Sequence, residues 1–189
     1  MALVERSMSQ RTLPEGELIT LDFSGVAAIN GSYIKSTVLW LFLCGQLSSR
    51  GSYAESPIRH PSEPRPYDLF VAVGGLTQEV EEEFIEFFRA RRIPVVVAKE
   101  WSDDNIQEAT LEGHLDPALK STFNALLRRG GSNAPQLHQD LPKEGITVTA
   151  WNNRLSDLNA FRLVRRTRNG KLWEYKPIAE RITYGRSIS

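Results

Sequence analysis

The sequence has 189 residues, enough for one large domain or two small ones with separate cores. Its 41% hydrophobic and 24% charged residues are typical of a soluble globular protein. The apolar run Val38–Cys44 is shorter than the roughly 20 residues of a membrane-spanning helix, and the N-terminus lacks the basic-then-apolar order of a signal peptide. We therefore expect a cytoplasmic protein. The single cysteine, Cys44, excludes a disulfide framework and a cysteine metal site within this sequence.

Charge is distributed unevenly along the chain. Residues 1–112 carry 10 Lys and Arg against 17 Asp and Glu, a net charge of −7. Residues 113–189 carry 13 against 6, a net charge of +7. Oppositely charged halves indicate two modules with different partners, and the basic half is the candidate for binding a polyanion. The alternative is chance variation of charge along the chain.

The N-terminal half predicts strands alternating with helices. After a weakly ordered lead-in over 1–16, we expect strands at 17–24, 67–73 and 93–98 and helices at 33–47 and 77–92. The stretch 51–66 contains four prolines and no apolar periodicity, which predicts a loop. The alternation implies a small α/β domain over 17–100 with a mainly parallel sheet.

The C-terminal half predicts three helices and then a hairpin over 116–182, after a helical linker over 101–115. Asp116 before Pro117 marks the start of the first helix, and Ser132 is expected to open the second. Thr147 or Thr149 caps the third helix, in which an apolar stripe is formed by Trp151, Leu155 and Leu158. Asn169–Gly170 is a strong signal for a type I′ hairpin turn.

This stripe leaves a polar face on the third helix, next to a basic hairpin. The polar face holds Thr149, Asn152, Asn153 and Ser156, with Arg154 at its edge, and the hairpin holds Arg165, Arg166, Arg168 and Lys171. Asparagine can pair bidentately with adenine, while hydroxyls and arginine contact phosphates or base edges. Basic side chains on a hairpin suit the DNA backbone or the minor groove. The pattern predicts duplex DNA binding; a solvated helix and hairpin without a ligand is the alternative.

The last third of the chain resembles the winged helix-turn-helix domains of bacterial transcription regulators. The resemblance rests on Ala-Trp-Asn-Asn-Arg-Leu at 150–155, Leu-Val-Arg-Arg at 163–166 and Tyr-Lys-Pro at 175–177. It covers about 65 residues and implies an α+β fold that binds DNA, although some winged helices bind RNA or only protein.

A second resemblance lies in the N-terminal half. The stretch Leu-Asp-Phe-Ser-Gly-Val-Ala-Ala-Ile-Asn-Gly-Ser-Tyr-Ile at 21–34 resembles the strand-to-helix signature of STAS domains, over roughly residues 17–98. In that family a serine preceded by an acid opens the helix and is phosphorylated. The matching positions here are Asn30 and Gly31, and Ser32 follows one residue later. The phosphoacceptor is therefore missing from its usual place. A capping hydroxyl is the expected role of Ser32, and a substitute phosphoacceptor is the alternative.

A Rossmann-like ligand sensor is the competing interpretation of this domain. Two strand-to-helix segments would contribute to its site, which comprises Asp22, Ser24, Ser32, Gly74, Gly75 and Thr77. The ends of parallel strands form ligand crevices, and helix N-termini bind anions. A small anionic ligand could bind there, although tight turns alone explain the glycines. The architecture is similar to that of CRISPR-associated Rossmann-like regulators, which join such a domain to a winged helix.

The sequence predicts neither catalysis nor a cofactor. His60, His114 and His138 lack metal-ligand spacing, and no Walker loop or Gly-x-Ser-x-Gly motif is present. The main hypothesis is a DNA-binding transcription regulator whose α/β domain mediates homodimerisation, partner binding or ligand sensing. The alternative is a non-enzymatic adaptor in a larger, defence-related assembly, with the winged helix contacting protein.

Overall fold

The computed structural model describes residues 17–44, 69–102, 105–142 and 145–185. Their strands are β1 (Glu17–Asp22), β2 (Leu69–Gly74), β3 (Val95–Ser102), β4 (Asn105–Glu112), β5 (Val164–Asn169), β6 (Leu172–Pro177) and β7 (Ala179–Tyr184). Their helices are α1 (Gly31–Ile34), a π-helical segment (Lys35–Leu39), α2 (Trp40–Cys44), α3 (Gln78–Ala90), α4 (Pro117–Arg129), α5 (Ala134–Asp140) and α6 (Val148–Ala160). The predicted lead-in 1–16, the predicted loop 51–66 and the side chain of Cys44 lie outside the described residues.

Five strands form one mostly parallel sheet in the order β1-β2-β3-β4-β7. The pairs β1–β2, β2–β3 and β4–β7 are parallel, and β3–β4 is antiparallel. The remaining strands, β5 and β6, pair with each other as an antiparallel hairpin. The protein is thus an α/β protein, as the N-terminal strand and helix pattern predicts.

Each face of the sheet packs against a different set of helices. On one face Val71 of β2 and Val97 of β3 pack with Ile34 of α1 and Phe84 of α3. On the other face the sheet packs with α4, α5 and α6, in a cluster that includes Phe70, Ala109, Leu111, Phe123, Leu137, Trp151 and Leu155. The apolar core on this second face therefore joins residues from both halves of the chain.

Side-chain caps fix where the longer helices begin. The Thr77 hydroxyl accepts a hydrogen bond from the Val80 N–H (3.4 Å) and caps α3. Asp116 Oδ1 accepts from the Ala118 N–H (2.8 Å) and caps α4. The Thr147 hydroxyl accepts from the Ala150 N–H and caps α6. These three predicted caps are confirmed, and each satisfies amides that would otherwise lack a partner.

The helical linker predicted over 101–115 is wrong, because this segment contains the end of β3 and the whole of β4. Its acidic residues suggested a solvated helix, but Glu108 lies in a strand and is only partly buried. Glu108 of β4 lies beside Arg181 of β7 (3.6 Å between Oε2 and the guanidinium), while Leu111 is buried. Pairing on both sides, with β3 and β7, stabilises the strand over its local helical preference.

Two smaller expectations about helix starts are also wrong. The N-cap of α5 is Asn133, whose Oδ1 accepts from the Gln136 N–H, and not Ser132. The N-cap of α1 is Asn30, which accepts from the Tyr33 N–H (2.9 Å). Ser32 lies inside the first turn and is solvent-exposed. None of the helices in the described part of the chain is long and apolar enough to cross a bilayer.

Candidate nucleic-acid interface

The polar face of α6 lies opposite its buried stripe. Trp151, Leu155 and Leu158 are at most 1% exposed, as the spacing predicts. Thr149 and Asn152 are exposed on the other side of the helix. Half-buried side chains flank them, and these are Asn153, Arg154 and Ser156. All five predicted helix residues therefore reach the surface, with donors and acceptors that can contact base edges or phosphates.

The hairpin is attached firmly to the end of α6. The Leu163 N–H donates to the Leu158 carbonyl (3.0 Å), and the buried Asn159 amide donates to the Val164 carbonyl (2.8 Å). On the opposite strand end, the Ile178 N–H donates to the Leu163 carbonyl (3.1 Å). These bonds fix the base of the hairpin against the helix that carries the polar face.

Two predicted arginines lie on one face of the hairpin, around an indole ring. The guanidinium carbons of Arg166 and Arg168 lie 4.6 and 5.0 Å from the Trp173 ring centroid. The Arg168 Nε also donates to the Gly170 carbonyl (3.0 Å). Burial raises the pKa of the neighbouring Tyr175, and the charge of Arg166 opposes that rise. The cation–π contacts restrict both arginines before any ligand binds.

The other face of the hairpin places two positive charges side by side. Arg165 lies directly opposite Lys176 in the β5–β6 register, and like charges in this arrangement destabilise a sheet. The only acid between residues 164 and 177 is Glu174. Its Oε1 accepts from the Asn133 side-chain amide (2.7 Å), so it is held against α5. The Arg165–Lys176 pair therefore favours an anionic partner.

The sequence predictions missed Lys176, because they placed the hairpin turn one residue too early. Asn169 pairs with Leu172, so the two loop residues are Gly170 and Lys171, and the predicted type I′ turn at Asn169–Gly170 is wrong. Gly170 has φ +59°, but Asn169 lacks the positive φ that a type I′ turn would need there. The predicted turn would have placed Glu174 opposite Arg165, whereas the observed register places Lys176 there. The remaining predicted cation, Lys171, is exposed at the hairpin tip.

An isolated bridge ties the hairpin to the end of α4. Ser132 and Tyr175 exchange two backbone hydrogen bonds, each 2.9 Å long. A Cβ atom on Gly131 would lie 3.0 Å from the Tyr175 carbonyl oxygen, and Gly131 has φ 146°. The close approach therefore requires glycine. It brings the basic end of α4, with exposed Arg128, toward β6.

The predicted ligand residues at the strand ends only partly come together. The Ser24 N–H donates to Asp22 Oδ1 (2.8 Å), and a Cβ on Gly75 would lie 2.3 Å from that oxygen. The Ser24 hydroxyl and then its N–H hold the pKa of Asp22 below its ordinary value. Gly74 packs in the same way against the Trp101 ring. Protein atoms occupy the space beside both glycines.

The other two predicted ligand residues lie at the starts of helices. Thr77 is engaged as the cap of α3, and Ser32 lies in the first turn of α1. Helices α1 to α3 all pack on one face of β1–β3, whereas ligand crevices form where crossover helices change faces. The anionic-ligand site stays a prediction.

The described histidines form no metal centre. His114 Nε2 lies 3.3 Å from an Arg92 guanidinium nitrogen, and His138 Nδ1 lies 2.8 Å from the Ile146 carbonyl. Within the described ranges no three His, Cys, Asp or Glu residues are grouped to hold a metal ion. Comparisons with models of protein families, with curated proteins and with solved structures found no match.

Proposed function

We propose that the protein binds duplex DNA through α6 and the β5–β6 hairpin, as a transcription regulator. The opposed Arg165 and Lys176 carry this proposal, since the only acid of the hairpin is held by Asn133. A polyanion would relieve the repulsion between the two cations and release counterions. Five cations between residues 164 and 177 lie at the end of a helix whose polar face is exposed.

The arrangement of elements supports a winged-helix mode of binding. Helices α4, α5 and α6 precede the hairpin, and Ser132 forms an isolated β-bridge with Tyr175 of β6. In this mode Asn152 and Asn153 of α6 would contact base edges in the major groove. The hairpin cations would contact phosphates on either side, which positions the helix without reading sequence.

The α/β part has a proposed accessory role. Its parallel strands β1 to β3, covered on one face by helices, support the STAS-like interpretation. In this role it brings two copies together on paired half-sites, binds a partner protein or senses a ligand. Paired half-sites one helical turn apart would give the sequence specificity that a single α6 lacks.

A salt series tests the DNA proposal directly. Affinity for a random-sequence duplex is measured by fluorescence anisotropy at increasing ionic strength. If the five hairpin cations each contact a phosphate, the slope of log K against log salt should be about −4 to −5. Failure to bind at low salt would contradict the proposal.

A matched pair of variants separates the hairpin from general charge. The double substitution Arg165→Ala/Lys176→Ala should reduce the magnitude of the slope by about 2. Lys35→Ala/Arg89→Ala removes the same charge from exposed positions on other helices, and it should leave the slope unchanged. Equal effects of the two variants would show that net charge, and not the hairpin, drives binding.

A protein-interaction adaptor is the second candidate function, favoured by exposed apolar side chains. Val148 at the start of α6 and Leu172 near the hairpin tip are 38% and 44% exposed. Apolar side chains on such a surface suit a protein partner. In this case the tagged protein would retain a protein partner and would not bind DNA. The Val148→Ser/Leu172→Ser variant should lose that partner, whereas Arg165→Ala/Lys176→Ala should keep it.

A further inference from the structure

Arg162, the middle one of three residues between α6 and β5, has a backbone conformation that favours glycine. Its φ is +61°, in the left-handed region. The Arg162 N–H donates to the Asn159 carbonyl and the Leu163 N–H to the Leu158 carbonyl, both at 3.0 Å. These two hydrogen bonds form a Schellman motif, which ends a helix. Glycine is the usual residue at the position that Arg162 occupies. An arginine here is disfavoured by its own Cβ.

The side chain of Arg162 is also buried against the sheet. The residue is 3% exposed, and its guanidinium carbon lies 5.5 Å from the ring centroid of Phe70. Phe70 is fully buried in β2, in the N-terminal half of the chain. Burying a guanidinium requires desolvating it. Since the left-handed backbone disfavours arginine and the side chain is buried, its contact with the sheet is the feature to be explained.

That contact lies at the point where the hairpin leaves the helix. Leu163 and Val164, the next two residues, are at most 1% exposed, and Val164 begins β5. The first basic residue of the hairpin, Arg165, follows them directly. A change in the direction of the chain at Arg162 would therefore move Arg165 and its neighbour Lys176 relative to the polar face of α6.

We infer that Arg162 is a positioning residue, which holds the hairpin at a fixed angle to α6 by packing its guanidinium on Phe70 of the sheet. It is buried and does not touch the ligand itself. Its effect on binding rests on the proposed DNA function, while its effect on the hairpin can be measured without DNA.

The chain provides a matched control at the end of α3. Arg92 has φ +56° and the same pair of bonds, from its own N–H to Arg89 and from Ile93 to Phe88. Unlike Arg162, it is solvent-exposed, and its guanidinium contacts His114. Arg92→Gly and Arg162→Gly thus relieve the same backbone conformation, but only Arg162→Gly removes a contact with the sheet.

The experiment compares both glycine variants with the unchanged protein, at a temperature well below their unfolding midpoints. Hydrogen exchange of residues 164–177 should accelerate in Arg162→Gly alone. DNA affinity should fall by about tenfold or more in that variant, with a shallower salt slope, as expected when one or two phosphate contacts are lost near 0.1 M salt. Arg92→Gly should match the unchanged protein in both measurements.

The outcomes distinguish the positioning role of Arg162 from the proposed DNA binding. A lower unfolding midpoint in Arg162→Gly, with unchanged hairpin exchange and unchanged affinity, would show a merely structural role and overturn the inference. If the unchanged protein does not bind DNA, the proposed function fails, and faster hairpin exchange in Arg162→Gly would still support positioning. If Arg162→Gly does not fold, Arg162→Lys replaces it. This variant keeps the charge and loses the planar group, so it should show the same selective changes, and normal hairpin exchange in it would contradict the inference.

Discussion

Replacing Leu111 by alanine should destabilise both halves of the chain together. Leu111 lies in β4, is fully buried and packs in the same cluster as Phe123 of α4 and Trp151 of α6. A Leu→Ala change in such a site costs about 2–5 kcal/mol, through lost burial and the cavity that remains. For a protein of this length, each 1 kcal/mol lowers the midpoint by roughly 2–4 °C. A cost near 3 kcal/mol therefore predicts a fall of about 6–12 °C.

The assay is thermal and denaturant unfolding followed by circular dichroism and by tryptophan fluorescence. Because the core joins residues from both halves, the two signals should coincide in one transition, and Leu111→Ala should shift both equally. Leu172→Ala is the matched control, since Leu172 is 44% exposed, and it should change stability by less than about 0.5 kcal/mol. Two separate transitions, of which only one moves, would refute the shared core and favour independent modules.

Three further changes test local features. Gly75→Ala should destabilise more than Gly25→Ala, because both glycines have positive φ but only a Cβ at Gly75 would meet Asp22; comparing their denaturant midpoints checks this. Burial raises the pKa of Tyr184 from 10.0 to about 12. The neutral phenol therefore stabilises the folded state fully below pH 10. This contribution is lost as the pH rises toward 12, because the unfolded chain ionises first. Tyr184→Phe should therefore flatten the stability curve over that range. Asn133→Ala removes the N-cap of α5 and should lower the free energy of unfolding by about 0.5–2 kcal/mol. The substitution also releases Glu174, which should make the DNA salt slope shallower. An unchanged slope would show that Glu174 does not screen the hairpin.

Much of the local structure could be predicted because it depends on nearby residues. Thr77, Asp116 and Thr147 begin helices through hydrogen bonds to amides two or three residues away. The hairpin was predicted from the same kind of local signal, but its turn lies one residue later than predicted, at Gly170–Lys171. The stripe of α6 follows from helical spacing alone. These features carry most of the candidate interface.

The sheet could not be completed from the sequence, because its last pairing joins distant segments. Strand β4 lies beside β7, with Ile106 opposite Ala179 and Leu111 opposite Tyr184. Neither strand has the continuous apolar pattern of β2, since one face of each is polar. Only the pairing reveals that Thr110 and Thr183 lie together on that face, with 3.4 Å between their hydroxyls.

The position of β7 in the sheet changes how the uneven charge along the chain is interpreted. Arg181 belongs to the basic half of the sequence, but it lies 3.9 Å from Glu100 and 3.6 Å from Glu108, in the sheet of the acidic half. Charge separation by sequence is therefore not separation in space. The case for a polyanion rests instead on a smaller unit, residues 164–177, where five cations accompany one acid. That acid is held by Asn133, so the hairpin itself, and not the net charge of a module, is the feature that DNA binding would explain.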